Sequence, residues 1–133
     1  MRHIRSGQAL DGLRVLLVED VNDIRELLVF LLSSEGAEVR AAGSAQGALE
    51  AAATWTFDVL LTDLGLPDLA GDHLIKEIVG MKSGVKVVVV TGFGEPYAGR
   101  ARQAGADLVF TKPLDWSLLR ARLIERNEAL AAA

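Results

Sequence analysis

An α/β fold with a parallel sheet covered by helices on both faces is predicted by two features of the sequence. Five short apolar runs alternate along the chain with stretches of helical period, which is the pattern of repeated βα units. Because crossovers between parallel strands are right-handed, the helices of such a chain lie on both faces of the sheet. The predicted strands are residues 15–18, 37–41, 59–61, 85–90 and 108–110.

Two of these runs predict where their strands lie in the sheet. Residues 87–90 are all valine, and a run of β-branched side chains favours a strand buried on both faces. Residues 37–41 alternate apolar and polar side chains, as a half-exposed strand does. The fourth strand is therefore predicted to be central and the second to lie near an edge.

Apolar stripes predict the helices between these strands. In the first helix, Ile24, Leu27, Leu28 and Leu31 are spaced i, i+3, i+4 and i+7, and Gly36 can end it in the left-handed conformation. Four further helices follow from similar stripes and from residues that start or stop helices. They are a helix capped by Ser44 that buries Ala45, Ala48, Leu49 and Ala52; a helix over about residues 70–79 that buries Leu74, Ile75, Ile78 and Val79; a helix between Pro96 and Ala104 that Gly105 stops; and a helix capped by Asp115 that buries Leu119 and Leu123.

Size and composition restrict the class of protein. The chain has 133 residues, half of them apolar, which suits one compact domain over residues 13–130 after a flexible leader of residues 1–12. Fourteen basic and eighteen acidic residues give a net charge of −4, which disfavours nucleic acid and anionic membrane partners. The sequence has no cysteine, so disulfides and thiolate metal sites are excluded and a cytoplasmic location is expected.

Polar side chains stand at the carboxyl ends of four predicted strands. The first strand ends in Glu19 and Asp20, and the third ends in Asp63. The fourth ends in Thr91, and the fifth is followed by Lys112. Ligands of open parallel sheets bind outside the carboxyl ends of the strands, so we expect these side chains to converge on one crevice.

The chemistry of these residue types is complementary. Crowded carboxylates repel one another unless a cation lies among them, and Mg²⁺ takes oxygen ligands and often bridges a carboxylate to a phosphate. With the metal bound, one carboxylate is free to act as a nucleophile toward phosphorus. The ammonium of Lys112 would then neutralise a phosphoryl oxygen, and the Thr91 hydroxyl would donate a hydrogen bond to another.

Each of these residues also has an ordinary structural interpretation. Asp20 or Asn22 could cap the first helix, and Asp63 could form a turn ahead of Gly65 and Pro67. Thr91 could simply end a strand, and Lys112 could be a solvated surface lysine. Independent chance seldom places all of these residue types at the same edge of a sheet, so the pattern favours a joint site.

Four motifs in this order resemble the receiver domains of bacterial two-component response regulators. They are VLLVED at residues 15–20, VLLTDLGLP at 59–67, VTG at 90–92 and TKP at 111–113. The resemblance covers the chain from about residue 13 to the last helix. It implies a flavodoxin-like (βα)5 fold with the strand order 2-1-3-4-5.

The resemblance also implies Mg²⁺ or Mn²⁺ as the cofactor and a role for each residue at the strand ends. It implies a phosphoacceptor module that receives its phosphoryl group from a histidine kinase or a histidine phosphotransfer protein and switches conformation. Such a module is a monomer or weak dimer, stands alone or belongs to a hybrid kinase, and catalyses only its own phosphorylation and dephosphorylation. The implied roles are phosphoacceptor for Asp63, direct metal ligand for Asp20, outer metal ligand for Glu19, metal ligand through its backbone carbonyl for Gly65, phosphoryl contact for Lys112 and switch hydroxyl for Thr91.

One position departs from the family pattern. Many receivers have a switch aromatic three residues before the lysine, where this chain has Val109. Phe110 cannot substitute for it, because neighbouring strand residues point to opposite faces of the sheet. Val109 is β-branched and has few rotamers, so we expect the loop of residues 92–96, with its two glycines, to carry the conformational change instead.

Two other classes of protein share part of this pattern. Phosphatases of the haloacid dehalogenase type resemble it but have a second aspartate two residues after the nucleophile, where this chain has Gly65. A missing acid/base group typically costs on the order of 100-fold or more in rate, which disfavours this alternative. A flavin-binding module would need a phosphate loop rich in glycine or hydroxyl groups after the first strand, and Glu19 and Asp20 would repel phosphate there unless a metal intervened.

Overall fold

The computed structural model of the chain describes residues 8–133. They form a five-stranded sheet in the order β2-β1-β3-β4-β5, with every neighbouring pair parallel. This confirms the predicted fold and strand order. The elements are β1 Arg14–Val18, α1 Asn22–Ser34, β2 Glu38–Ala42, α2 Ala45–Thr54, β3 Val59–Thr62, α3 Gly71–Met81, β4 Lys86–Thr91, α4 Tyr97–Ala104, β5 Leu108–Thr111 and α5 Trp116–Ala132.

The sheet separates two apolar layers because alternate strand residues point to opposite faces. On one face, the fully buried Leu16 and Val87 belong to a cluster with α2, α3 and α4. On the other face, Leu17 and Val88 belong to a cluster with α1 and α5. Burial of each such side chain contributes roughly 1.5–3 kcal/mol, so these layers hold the strand ends in register. The buried β4 and the largely exposed edge strand β2 confirm the predicted positions of both strands.

The apolar stripes of α1 and α3 are buried only in part, and the predicted burial of Val79 in α3 is wrong. In α1 the core residues are Leu28 and Leu32, whereas Ile24 and Leu27 are 37 % and 57 % exposed. In α3, Val79 is likewise exposed. The stripe of α1 is wider than the part that faces the sheet, and the residues on its outer side line a groove beside the end of β5.

The predicted caps and stops of the helices are confirmed at four positions. The Ser44 side chain accepts the Gly47 N–H, and the Asp115 side chain accepts the N–H groups that open α5. Gly36 and Gly105 have φ of 96° and 126°, the left-handed region in which glycine carries no Cβ penalty.

Residues 8–12, which were expected to belong to a flexible leader, pack onto the domain. Leu10 is fully buried, and its N–H donates to the Glu35 carbonyl at 2.9 Å. The Asn127 side-chain amide donates to the carbonyls of Ala9 and Asp11. The packed region therefore includes residue 8 onward, and residues 1–7 of the predicted leader lie outside the described residues. Within residues 8–133, no helix is both long and apolar enough to cross a bilayer.

Candidate functional site

The structure brings the predicted acidic residues together at the carboxyl edge of the sheet. Glu19 and Asp20 follow β1, and Asp63 follows β3, which is its neighbour in the sheet. One carboxylate oxygen from each of the three residues lies within 4.8 Å of the other two. Such a cluster of hard oxygen donors fits a divalent cation such as Mg²⁺.

Lys112 supplies the positive charge of the site. Its Nζ donates to Asp63 Oδ2 at 2.9 Å and to Glu19 Oε1 at 3.0 Å. Burial lowers the pKa of Lys112, but the hydrogen bonds and charges of Asp63 and Glu19 outweigh that effect and raise the pKa above its ordinary value. The ammonium is therefore charged throughout the physiological range and lies between the ends of β1 and β3.

The Asp63 carboxylate is oriented by hydrogen bonds on both oxygens. Oδ1 accepts the backbone N–H of Leu64 at 2.6 Å and of Gly65 at 3.2 Å, while Oδ2 accepts from Lys112. Only 11 % of the side chain is exposed. The loop after β3 thus fixes the carboxylate by its own backbone, and the turn that Asp63 forms is part of the site.

Glu19 and Asp20 differ in how they are held. Glu19 is buried, and its Oε2 accepts the Val21 N–H at 3.2 Å while its carbonyl accepts from the Arg25 guanidinium at 2.8 Å. Asp20 is exposed at the mouth of the crevice. In residues 8–133 no side chain caps the start of α1, whose N-cap is Val21, so the interpretation of Asp20 or Asn22 as a helix cap is wrong.

Thr91 lies fully buried at the end of β4. Its Oγ1 accepts the Phe93 N–H at 3.1 Å, which ties the hydroxyl to the loop that follows. The Phe93 ring in turn packs against the loop after β3, because a Cβ placed on Gly65 would lie 3.2 Å from it. Phe93 therefore contacts both the Thr91 hydroxyl and the loop that follows Asp63.

Phe93 forms an exposed aromatic pair with Tyr97, which was not predicted from the sequence. The rings of Phe93 and Tyr97 lie 5.2 Å apart, and the Arg100 guanidinium lies 5.5 Å from the centroid of Tyr97. Both rings are nearly half exposed. The sequence signal that could have indicated this pair is Phe93 between Gly92 and Gly94, in the loop after a central strand.

The end of β5 has the side-chain arrangement expected from the sequence. Val109 packs with the cluster on the α2, α3 and α4 face, and Phe110 packs with the cluster on the α1 and α5 face. The two residues therefore point to opposite faces, and Phe110 does not take the place of an aromatic at position 109.

A five-stranded parallel α/β sheet with an acidic cluster, a hydroxyl and a lysine at its carboxyl edge defines a receiver domain. The chain belongs to the response regulator receiver domain family, which it matches over residues 15–124. It is 32 % identical over 120 residues to the transcriptional regulatory protein FixJ of Rhizobium meliloti, covering 90 % of this chain and 59 % of FixJ. It is 37 % identical over 122 residues to the KDP operon transcriptional regulatory protein KdpE of Escherichia coli, covering 89 % of this chain and 54 % of KdpE.

Solved structures agree with this family. A CheY-like receiver domain protein from Methanospirillum hungatei has a TM-score of 0.80 at 28 % identity, covering 88 % of this chain and 98 % of that one. The structure of FixJ-N has a TM-score of 0.76 at 33 % identity, covering 86 % of this chain and 92 % of that one. The chain thus spans little more than half of FixJ and KdpE but nearly all of the solved receiver domains.

Proposed function

We propose that this receiver domain is a switch driven by phosphorylation of Asp63, with the phosphoryl group supplied by a histidine kinase or a histidine phosphotransfer protein. The observation that carries the proposal is the bond from Lys112 Nζ to the Asp63 carboxylate beside two further carboxylates. Nucleophile, metal ligands and counter-charge therefore lie in one crevice. As members of the family, receiver domains are signalling modules and not classical enzymes.

The phosphoryl transfer needs no general base at Asp63. A carboxylate oxygen forms the new bond to phosphorus while the bond from phosphorus to the donor's nitrogen or oxygen breaks, and no proton leaves the carboxylate. Asp20, Glu19, Asp63 and the Gly65 carbonyl would hold Mg²⁺ or Mn²⁺, which neutralises charge between carboxylate and phosphate. Lys112, already against Asp63, is placed to contact a phosphoryl oxygen.

A groove beside α1 is the docking surface that we assign to the phosphodonor protein. An apolar groove of about 500 Å³ runs from Glu19 and Lys112 along α1. A donor must bring its phosphoryl group to Asp63 and so must cover this rim of the crevice. We assign the groove to an apolar face of the donor. Its apolar lining is Ile24, Leu27, Leu28, Leu31, Val90, Pro113, Leu114 and Trp116.

The conformational switch is assigned to the loop after β4. Recruitment of the Thr91 hydroxyl by a phosphoryl group would release the Phe93 N–H that it now accepts. Phe93 packs on Gly65 and Tyr97, so its displacement would change the exposed surface at the start of α4. Val109 is half-buried against the core and is too short to transmit the same change.

The haloacid dehalogenase alternative is disfavoured by the site itself. Its acid/base aspartate would stand at Gly65, where the ring of Phe93 lies close above the backbone. The chain's family is that of receivers, whose phosphoryl group is a signal and not a substrate to be turned over.

Treatment with a small phosphodonor such as acetyl phosphate tests the proposal. Intact-mass measurement should show one added phosphoryl group when Mg²⁺ is present. The addition should be absent after chelation and absent in Asp63→Asn, which keeps the size of the side chain. Labelling that persists in Asp63→Asn would overturn the assignment.

A further inference from the structure

Asp68, in the loop after β3, caps a helix to which it is not adjacent in sequence. Its Oδ1 accepts the Ala45 N–H at 2.9 Å, and its Oδ2 accepts the Gln46 N–H at 2.9 Å. Ser44, the helix's own cap, accepts the Gly47 N–H at 3.1 Å. The first three N–H groups of α2 are therefore satisfied, two of them by a different part of the chain.

This contact combines two hydrogen bonds with a favourable charge interaction. Both carboxylate oxygens bind backbone N–H groups at the positive end of a helix, where a negative charge is stabilised. The N–H groups of Gln46 and Ala45 hold the pKa of the Asp68 carboxyl below its ordinary value. Asp68 is therefore ionised, and the contact is present, at neutral pH.

The loop that Asp68 anchors contains the phosphoacceptor and the Gly65 carbonyl. The far end of the loop is held by Gly71, whose N–H donates to the Leu64 carbonyl at 3.0 Å. The two backbones approach so closely there that a Cβ on Gly71 would lie 2.5 Å from the Leu64 Cα. Gly65 is exposed and lies between Asp63 and the Asp68 anchor.

The segment before α2, whose start Asp68 caps, also contacts the loop that carries Glu19 and Asp20. The residues before α2 continue from β2, and the Ala42 carbonyl accepts the Glu19 N–H at 3.0 Å. Asp68 thus joins the loop after β3 to the segment that supports the loop after β1. Both loops carry residues of the candidate metal site.

We propose that Asp68 is a positioning residue for the metal and phosphoryl site, which it keeps assembled by holding the loop after β3 against the start of α2. This positioning role rests on the proposed function, because that function makes the Gly65 carbonyl a metal ligand and the Asp63 carboxylate the phosphoacceptor. Asp68 itself touches neither group. It raises the population of the loop conformation in which they face the ion.

The test measures Mg²⁺ binding to the full chain by calorimetry. Two variants are compared with wild type, and each removes one cap of α2. Asp68→Ala should raise the Mg²⁺ dissociation constant about fivefold, because the competent loop conformation is less populated. Ser44→Ala is the matched control, since it weakens α2 without releasing the loop. Its dissociation constant should stay within about twofold of wild type while its urea midpoint falls similarly. Asp68→Asn, which keeps one acceptor oxygen, should lie between wild type and Asp68→Ala.

An unchanged dissociation constant in Asp68→Ala, or an equal rise in Ser44→Ala, would overturn the positioning role and leave the proposed function intact. Failure of the wild-type chain to bind Mg²⁺ would overturn both.

A second readout begins with the wild-type chain alone. Because coupling between two sites is reciprocal, Mg²⁺ should slow hydrogen exchange of the Ala45 and Gln46 amides in the wild-type chain. Asp68→Ala should abolish that effect. Equal exchange of these amides with and without Mg²⁺ in the wild-type chain would contradict the proposal.

Discussion

Lys112 Nζ lies 2.9 Å from Asp63 Oδ2, and this bond joins the end of β5 to the end of β3 across the intervening β4. The same ammonium reaches Glu19 after β1 at 3.0 Å. Three of the five strand ends are therefore connected through one cation. Before any phosphoryl group arrives, Lys112 neutralises part of the charge that the acidic cluster brings together.

The Lys112 contacts predict a dependence of stability on high pH. The folded-state pKa of Lys112 is raised above its unfolded value, so its stabilising effect is complete below the ordinary lysine pKa of about 10.4 and is lost as pH rises through the folded-state value. The difference in urea midpoint between wild type and Lys112→Met should stay constant from about pH 8 to about pH 10 and should shrink as the pH rises above the ordinary lysine pKa. Lys76→Met, at an exposed lysine of α3, is the control and should show no such trend. A difference for Lys112→Met that stays constant above that pKa would contradict the interpretation.

The two acidic residues after β1 should contribute unequally to Mg²⁺ binding. Asp20 is exposed at the mouth, whereas both Glu19 oxygens already accept hydrogen bonds from Lys112 and Val21. Asp20→Ala should raise the Mg²⁺ dissociation constant on the order of 100-fold and Glu19→Ala about 10-fold. Titration calorimetry measures both constants. Equal losses in the two variants would contradict the ranking.

The strand-end residues could be predicted from the sequence because they follow directly from the strands themselves. Once the strands around Asp63 and Lys112 were recognised, the parallel sheet placed their ends at one edge. The burial of the α1 stripe could not be predicted in the same way. Periodicity shows which residues share a helix face, but it does not show whether that face packs on the sheet or lines a groove. Leu27, for example, lies on the predicted apolar stripe of α1 but is exposed.

Contacts between distant loops could not be predicted from the sequence. Asp68 caps residues 22 and 23 positions before it, and the Phe93 ring packs on Gly65 from another loop. Neither contact has a local pattern, since each depends on how the helices and loops at one edge of the sheet approach one another.

The groove beside α1 predicts a variant that separates protein donors from small ones. Leu27→Glu places a charge among apolar side chains at the groove and should slow phosphoryl transfer from a phosphorylated histidine phosphotransfer domain about tenfold. Transfer from acetyl phosphate should stay within about twofold, because a small donor does not cover the groove. Val79→Glu is the matched control, an exposed apolar residue on α3 across the sheet, and should leave both rates unchanged. Equal slowing with both donors would show that Leu27 acts on the site and not on docking.

The bond between Thr91 and Phe93 predicts where the switch responds. In backbone NMR spectra with Mg²⁺ and beryllofluoride, a phosphoryl mimic, the largest shifts should fall on residues 92–97 and include the Phe93 amide. Thr91→Val keeps the shape of the side chain but removes the acceptor, so its Phe93 amide should be displaced already and should respond little. Shifts centred on Val109 and α5, with residues 92–97 unchanged, would contradict the assignment of the switch to the loop after β4.

The identity of the phosphorylated residue tests the proposed function directly. Borohydride reduces an aspartyl phosphate to homoserine, so peptide mass spectrometry of the reduced, phosphorylated chain locates the acyl phosphate. We predict homoserine at position 63 alone, in an amount that depends on Mg²⁺ during phosphorylation. Homoserine at Asp20 or at any other acidic residue, or a phosphorylated chain in which Asp63 remains unreduced, would contradict it.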